Sequence, residues 1–276
     1  MKKFFAMLLA LTMLLAFAGC AGGNEPAATE APAATEAPAA TEAPAATEAP
    51  AATEAAVTVM THDEYIAAAV DSQVTVETYV QAKQGWWTNS ETGTSQASFY
   101  CQSEDGAYFL YDMQCTEEEY NKLLPGTKIR VTGHKAEWSG EVEIMDATFE
   151  ILEGTFLAEP ADMTAILGTD ELINHMNEFV AFKGMTVEAS TDPNGNEVAF
   201  LYNWDGSGEQ GNDLYFNVSI NGNTYNFCVE SYLCGADTEV YKAVEALQIG
   251  DVIDMTGFLY WYDSANPHIV SVAPAA

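Results

Sequence analysis

Aromatic side chains beside polar loops are the residues of this chain best suited to bind a ligand. The sequence has five tryptophans, and each falls in or next to a predicted loop. Flat aromatic faces stack on sugar rings or bases, while nearby Asn and Gln side chains hydrogen-bond to hydroxyl groups. The candidate ligand-binding residues are Trp86, Trp87, Tyr100, Tyr108, Trp138, Trp204, Trp261 and Tyr262.

Catalytic residues do not form a recognisable pattern. The histidines at positions 62, 134, 175 and 268 are scattered and lack metal-ligand spacing, and none pairs with a Ser or Cys nucleophile. Glu141 and Glu143 share one strand face, but a chain with 41 acidic residues produces such pairs by chance. The sequence therefore predicts neither an enzyme nor a cofactor.

An acidic loop in the second half of the chain carries oxygen ligands of the kind that calcium prefers. Its spacing does not complete an EF-hand, because Glu197 stands where that motif has glycine. Solvated loop acids explain the same composition, so no metal site is predicted. The loop residues concerned are Asp192, Asn194, Asn196, Glu197, Asp205, Glu209 and Asp213.

Four cysteines follow Cys20 at positions 101, 115, 228 and 234. An even count in an exported protein allows two disulfides. The predicted hairpin places Cys101 opposite residue 109 or so, which leaves Cys115 too far along the strand to pair with it. Buried free thiols explain these residues equally well.

The first predicted domain, residues 57–157, combines two short helices with alternating strands. Apolar residues recur at every second position from Val74, which indicates a strand with one buried face. Two pairs fit the capping box that begins a helix: Thr61 with Glu64, and Thr116 with Glu119. The later strands are predicted at 97–103, 107–113, 127–137 and 141–151.

Three strands, a helix and two strands, in that order, define the OB-fold, a small five-stranded barrel. The run LLPGTKIRVTGHKAEWSGEVEI, with the strand YFLYDM before it, resembles the OB-type domains of bacterial surface lipoproteins. The resemblance covers nearly all of residues 72–152. It implies a lipid-anchored surface protein but no particular ligand, since OB-folds bind nucleic acids or oligosaccharides in different families.

Residues 163–276 repeat this order and are predicted to form a second OB-like domain. Pro125-Gly126 and Thr132-Gly133 of the first domain correspond to Ile249-Gly250 and Thr256-Gly257 of the second. Asn221-Gly222 predicts a type I′ hairpin, Thr169-Asp170-Glu171-Leu172 predicts the start of a helix, and a second helix is expected near 236–247.

The predicted fold is therefore mainly β. It consists of two consecutive OB-like five-stranded barrels, each with a short helix before strand 1 and another between strands 3 and 4. The alternative is one continuous β-sandwich of about 200 residues. In an OB-fold the groove lies between the loop after strand 1 and the loop joining strands 4 and 5, and the tryptophans fall there. The alternative to ligand binding is a structural role, in which Trp87 closes the barrel end and Trp138 packs across its turn.

Residues 1–20 have the organisation of an export signal. Lys2 and Lys3 precede an almost wholly apolar run that is too short to span a membrane and suits a signal peptide. The segment ends in Ala18-Gly19-Cys20, which resembles a bacterial lipobox. The resemblance implies lipid attachment at Cys20 and an extracytoplasmic, membrane-anchored protein. An ordinary secretory signal or an uncleaved helix are the alternatives.

Residues 21–56 are predicted to form a disordered stalk. They repeat a Thr-Glu-Ala-Pro-Ala-Ala unit that has no large apolar residue to bury, and proline at every sixth position interrupts helices. Such a stalk would hold the folded domains away from the membrane.

The charge of the chain bears on its partners. A formal net charge of −32 at pH 7 repels phosphate backbones, which argues against nucleic acid. The predicted function is non-enzymatic binding of a neutral glycan or wall fragment at the aromatic loops. The alternative is a surface module that docks another protein without a small-molecule ligand.

Overall fold

The computed structural model describes residues 58–275. The predicted signal peptide at 1–20, the lipidation site Cys20 and the predicted stalk at 21–56 lie outside the described residues. Within 58–275, no helix is both long and apolar enough to cross a membrane.

The first half of the described chain forms a closed barrel because its strands bury alternate residues. In β1, Val74, Val76 and Val80 are buried in the barrel core. The long strands are hydrogen-bonded in the cyclic order β1-β3-β4-β6-β5, which is the OB order. The elements are α1 (His62–Ala67), β1 (Gln73–Lys83), β2 (Trp87–Thr88), β3 (Ser95–Ser103), β4 (Gly106–Gln114), α2 (Glu117–Lys122), β5 (Thr127–Trp138) and β6 (Glu141–Thr155).

The second half forms a barrel of the same order, β8-β12-β13-β17-β14, and β12 pairs with β8 to close it. Two closed barrels confirm the predicted fold class and rule out the single sandwich. The elements are β7 (Ala161–Asp162), a 3-10 helix (Leu172–His175), β8 (Phe179–Glu188), β9 (Ser190–Thr191), β10 (Glu197–Val198), β11 (Leu201–Tyr202), β12 (Leu214–Ile220), β13 (Asn223–Val229), α3 (Glu239–Glu245), β14 (Val252–Phe258), β15 (Trp261–Tyr262), β16 (Ser264–Ala265) and β17 (His268–Pro274).

Local sequence signals explain most of the helix starts and tight turns. Both predicted capping boxes form, with Thr61 and Thr116 as the N-cap residues directly before α1 and α2. Asn221 and Gly222 have φ values of 54° and 80°, as a type I′ hairpin requires. The β5–β6 turn at Ser139 and Gly140 has the same left-handed pair.

The repeated Thr-Gly pair marks a structural feature that both barrels share. The register of β5 against β6 shifts next to Gly133 in the first barrel. The register of β14 against β17 shifts next to Gly257 in the second. A Cβ atom on Gly133 would lie 2.7 Å from the carbonyl oxygen of Met145, and one on Gly257 would lie 2.8 Å from the Cα atom of Ile269. Glycine is therefore needed where the two strands approach most closely.

The short helix predicted to begin at Thr169 begins three residues later and is a 3-10 helix. The structure has only one 3-10 helix there, Leu172–His175, and no side chain caps it. The hydroxyl of Thr169 donates to the carbonyl oxygen of Ile166 at 2.8 Å, and among the described residues it accepts no backbone N–H of a following turn.

The two barrels share a small buried aromatic cluster, which we call the seam. Tyr100 and Phe109 of the first barrel pack against Phe258 of the second, and all three are almost fully buried. The rings of Tyr100 and Phe258 stack with their centroids 4.6 Å apart. Backbone contacts add to the seam, including one from the N–H of Trp261 to a carboxylate oxygen of Glu141 at 2.8 Å.

Cys101, Cys115, Cys228 and Cys234 are buried free thiols. Of the two explanations that the sequence allowed, the structure supports thiols packed as small apolar side chains.

Candidate ligand-binding site

A pocket of about 580 Å³ lies at one end of the seam, between the two barrels. Six aromatic side chains surround it, with two carboxylates and one histidine among them. Its lining comprises Gln84, Gly85, Trp86, Trp87, Ser98, Phe109, Tyr111, Asp112, Glu230, Tyr232, Tyr260 and His268.

The segment after β1 brings two tryptophans to the pocket. The N–H of Gly85 donates to the carbonyl oxygen of Tyr232 at 2.9 Å, which fixes this segment to the second barrel. The indole N–H of Trp86 donates to the carbonyl oxygen of Cys115 at 3.0 Å, so its ring is held against the first barrel. Trp87 follows with 43% of its surface exposed.

A β-bulge in β4 turns Tyr111 and Asp112 toward the pocket together. The register of β4 against β3 shifts between Ala97 and Phe99, so that Tyr111 and Asp112 both lie opposite Ser98. Asp112 has φ of 48°, a left-handed conformation that is uncommon for residues other than Gly, Asn and Asp. Bulges re-aim side chains at sites of this kind, where regular alternation would point one of the two away.

Glu230 supplies the second carboxylate and organises the turn after β13. Its oxygens accept the backbone N–H groups of Tyr232 at 3.2 Å and Leu233 at 2.9 Å. Gln84 of the first barrel also donates to it, at 3.2 Å. The turn held in this way presents Tyr232, which is 74% exposed, at the pocket.

The inner wall of the pocket contains a neutral histidine. Burial lowers the pKa of His268 to about 3, so its imidazole carries no charge at neutral pH. Tyr260 stacks on this ring with the centroids 4.4 Å apart. On the other barrel, the hydroxyl of Tyr100 hydrogen-bonds to Nδ1 of His268 at 2.6 Å.

The pocket is lined by two acidic side chains, Glu230 and Asp112, whose pKa values are both raised by burial. Burial raises the pKa of Glu230 to about 7, and the nearby charge of Asp213 adds to the rise. Burial also raises the pKa of Asp112, against the lowering effect of hydrogen bonds from Trp87 and Ser98. No lysine or arginine belongs to the lining. The pocket therefore combines π faces with negative charge, a combination that attracts cations.

The structure brings together only some of the candidate residues. Trp86 and Trp87 line the pocket, while Trp261 lies beside a separate cleft of the second barrel with Tyr225 and Leu172. The other three candidates on loops or turns are more than half exposed and lie outside the pocket lining: Trp138, Trp204 and Tyr262.

Tyr100 and Tyr108, two of the candidate ligand-binding residues, are essentially fully buried. Tyr100 faces the second barrel within the seam. Tyr108 packs against His62 and Tyr65, with centroids 5.3 Å and 5.1 Å away. Neither ring offers a face to a ligand.

Two aspartates of the acidic loop, Asp192 and Asp205, accept backbone N–H groups within its own turns, while Asp213 binds a residue of the turn after β13. Oδ1 of Asp192 accepts the N–H groups of Asn194 and Asn196 at 2.9 and 2.8 Å. Asp213 binds the hydroxyl and N–H groups of Ser231.

Sequence reasoning missed most of the acidic and tyrosine residues of the pocket. Asp112 and Glu230 looked like any other acid in an acidic chain, and nothing local distinguished Tyr232 or Tyr260. The aromatic run FLYWY at 258–262 was the one available signal, but it pointed to Trp261 and Tyr262.

Comparison with known proteins found no matching family model and no matching curated protein. Among solved structures, the chain is similar to a murine DNA-binding protein bound with double-stranded DNA (TM-score 0.35, 10% identity, covering 73% of this chain and 96% of that one). It is also similar to the Ifi202 HINa domain in complex with 20-bp double-stranded DNA (TM-score 0.33, 10% identity, 75% and 98% covered). A replication protein A heterotrimer bound to single-stranded DNA follows (TM-score 0.30, 9% identity, 74% and 49% covered).

These comparisons contradict the predicted ligand and partners. The sequence favoured a neutral glycan or wall fragment and argued against nucleic acid, whereas the structures named here are described as bound to DNA and none of them to a glycan. The glycan prediction is withdrawn, and nucleic acid is no longer excluded as a partner. At these TM-scores the likeness assigns no ligand to this chain, and the OB order rests on the strand pairing alone.

Proposed function

We propose that this chain is a binding protein for a small organic cation, which it takes into the pocket between its two barrels. The observation that carries the proposal is the composition of the pocket wall: six Trp, Tyr and Phe rings, two carboxylates, one neutral histidine, and no lysine or arginine. The proposed function is binding without chemical conversion of the ligand.

Two physical effects support a cationic ligand. A cation over the face of Trp or Tyr gains about 0.5–2 kcal/mol, with the larger values where water is excluded. Glu230 is only 8% exposed and has no basic partner among the described residues, so its ionised form is costly in the empty pocket. A bound cation would offset that cost.

The test is a calorimetric titration of the full chain with choline, a small soluble cation. Saturable binding that Trp87→Ala weakens about tenfold or more supports the proposal, since one desolvated cation–π contact is worth that much. Trp204→Ala is the matched control, because Trp204 is 75% exposed and lies outside the pocket lining. Equal binding by both variants, or no binding by the parent chain, would refute the proposal.

The same titration with a single-stranded and a double-stranded oligonucleotide measures the alternative ligand. Oligonucleotide binding that competes with choline and is lost in Trp87→Ala would reassign the pocket to nucleic acid. Oligonucleotide binding that leaves choline binding unchanged would place it on another surface.

We also propose that the chain is a bacterial surface lipoprotein that is exported and attached to the cell membrane by lipid at Cys20. The support is the apolar run ending in Ala18-Gly19-Cys20. Metabolic labelling with a palmitate analogue should mark the parent chain and Cys234→Ala but not Cys20→Ala. Labelling of Cys20→Ala, or none in the parent chain, would refute the anchor without affecting the pocket.

A further inference from the structure

We infer, resting on the proposed function, that the pocket selects a quaternary ammonium group over a primary one. The distinction depends on hydrogen bonding. A primary ammonium carries three N–H donors whose water must be replaced when it enters a pocket, whereas a quaternary ammonium carries none. A pocket that supplies negative charge but few vacant acceptors therefore favours the quaternary group.

Glu230 supplies charge with little acceptor capacity. Its Oε1 already accepts the N–H of Tyr232, and its Oε2 accepts the N–H of Leu233 and the side-chain amide of Gln84. A carboxylate has about four lone-pair sites, so three protein donors occupy most of them. These donors also hold the turn and the first barrel in place, so a ligand N–H would have to compete with structural bonds.

Two backbone carbonyl oxygens beside the pocket also already accept hydrogen bonds from protein donors. The carbonyl oxygen of Gln84 accepts the hydroxyl of Tyr120 at 2.9 Å. The carbonyl oxygen of Tyr232 accepts the N–H of Gly85, also at 2.9 Å. The first bond lies within the first barrel, and the second joins the two barrels beside the pocket.

Asp112 is the other carboxylate of the lining and has fewer protein donors than Glu230. Its Oδ1 lies 3.4 Å from the indole nitrogen of Trp87 and 3.5 Å from the hydroxyl of Ser98. In the described part of the chain, Oδ2 accepts no hydrogen bond of normal length, although the side chain of Gln96 lies close enough to the carboxylate to lower its pKa. A primary ammonium would find at most one carboxylate oxygen free of protein donors for its three N–H groups. The other acceptors of the lining, such as the hydroxyls of Tyr111, Tyr232 and Tyr260, are neutral and bind a cationic donor less strongly than a carboxylate does.

The aromatic wall suits methyl groups in place of N–H donors. The rings of Trp86, Trp87, Tyr111, Tyr232 and Tyr260 surround the pocket from both barrels. Methyl groups on a quaternary nitrogen carry its positive charge outward and pack on π faces without needing acceptors. The two carboxylates then attract the quaternary ammonium electrostatically, without hydrogen bonds to it.

Three ligands of similar size test the inference: choline, ethanolamine and the neutral choline isostere 3,3-dimethylbutan-1-ol. Each is titrated calorimetrically into the full chain at about pH 8, where Glu230 is largely ionised. We expect choline to bind about tenfold or more tightly than ethanolamine, because unsatisfied donors cost about that much. We also expect the isostere to bind more weakly than choline.

The outcomes separate the two proposals. Ethanolamine binding as tightly as choline, with the isostere weaker, would overturn the quaternary preference and leave the organic-cation pocket standing. Isostere binding equal to that of choline would overturn the cation pocket itself, and no binding by any of the three would overturn both. Trp204→Ala should show the same order of affinities as the parent chain.

Discussion

The hydroxyl of Tyr100 in the first barrel lies 2.6 Å from Nδ1 of His268 in the second, and both side chains are buried. The contact crosses the seam just behind the pocket, where His268 forms part of the wall. Rigid packing of the two barrels and the shape of the pocket therefore depend on the same residues.

Tyr100→Phe should destabilise the protein by about 1–3 kcal/mol, because Nδ1 of His268 would lose its partner in a buried site. Tyr65→Phe is the matched control: among the described residues, the buried hydroxyl of Tyr65 has no hydrogen-bond partner, so its removal should be neutral or slightly stabilising. Urea denaturation of both variants measures the free energy of unfolding. Equal losses would show that the Tyr100 hydrogen bond contributes nothing specific.

Stability should fall with rising pH because of a buried glutamate in the seam. Glu141 is fully buried, and burial raises its pKa to about 8. Between about pH 5 and pH 8 the folded chain therefore holds a proton that the unfolded chain has released, so the free energy of unfolding decreases as pH rises through this window.

Glu141→Gln should remove much of that decrease. The amide keeps an oxygen for the N–H of Trp261 and carries no charge, and we expect it to stabilise the chain by about 2–4 kcal/mol more at pH 8 than at pH 5. Denaturation at both pH values measures the difference. Glu137→Gln, at an exposed position of β5, should change neither value appreciably. A Glu141→Gln curve parallel to that of the parent chain would contradict the prediction.

The barrels could be predicted from the sequence because their signals are local. Capping boxes at Thr61 and Thr116, the turn at Asn221-Gly222 and alternating burial in β1 depend on neighbours a few residues away. The repeated Thr-Gly pair was likewise visible, although its role at the closest approach of two strands required the structure.

The pocket could not be predicted, because it depends on contacts between distant residues. Gln84 and Glu230 are 146 positions apart, and no local pattern pairs them. The seam also defeats the alternation rule: Phe99, Tyr100 and Cys101 are all fully buried, since one face of β3 meets its own barrel and the other meets the second barrel. Alternation alone would place Tyr100 on the outer face of the first barrel, open to a ligand.

Binding of choline should weaken as the pH falls through the raised pKa of Glu230. Below about pH 7 this carboxyl takes up a proton, and the pocket loses one of its two negative charges. We expect affinity to be about threefold to tenfold lower at pH 6 than at pH 8, since the lost interaction is worth about 1 kcal/mol. Calorimetry at both pH values measures the change. Glu230→Gln should bind more weakly and lack this dependence, whereas Glu137→Gln should retain it.

Two substitutions at Asp112, in the β4 bulge, should separate the effect of its charge on choline binding from the effect of its backbone conformation on stability. Asn adopts positive φ readily, so Asp112→Asn should keep the fold and weaken choline binding through the lost charge alone. A β-branched residue is strained at φ of 48°, so Asp112→Val should also lose about 1–3 kcal/mol of stability. Thermal unfolding and calorimetric titration of the two variants test both effects. Equal stability of the two variants would mean that the bulge relaxes without cost, and unchanged affinity in Asp112→Asn would remove Asp112 from the site.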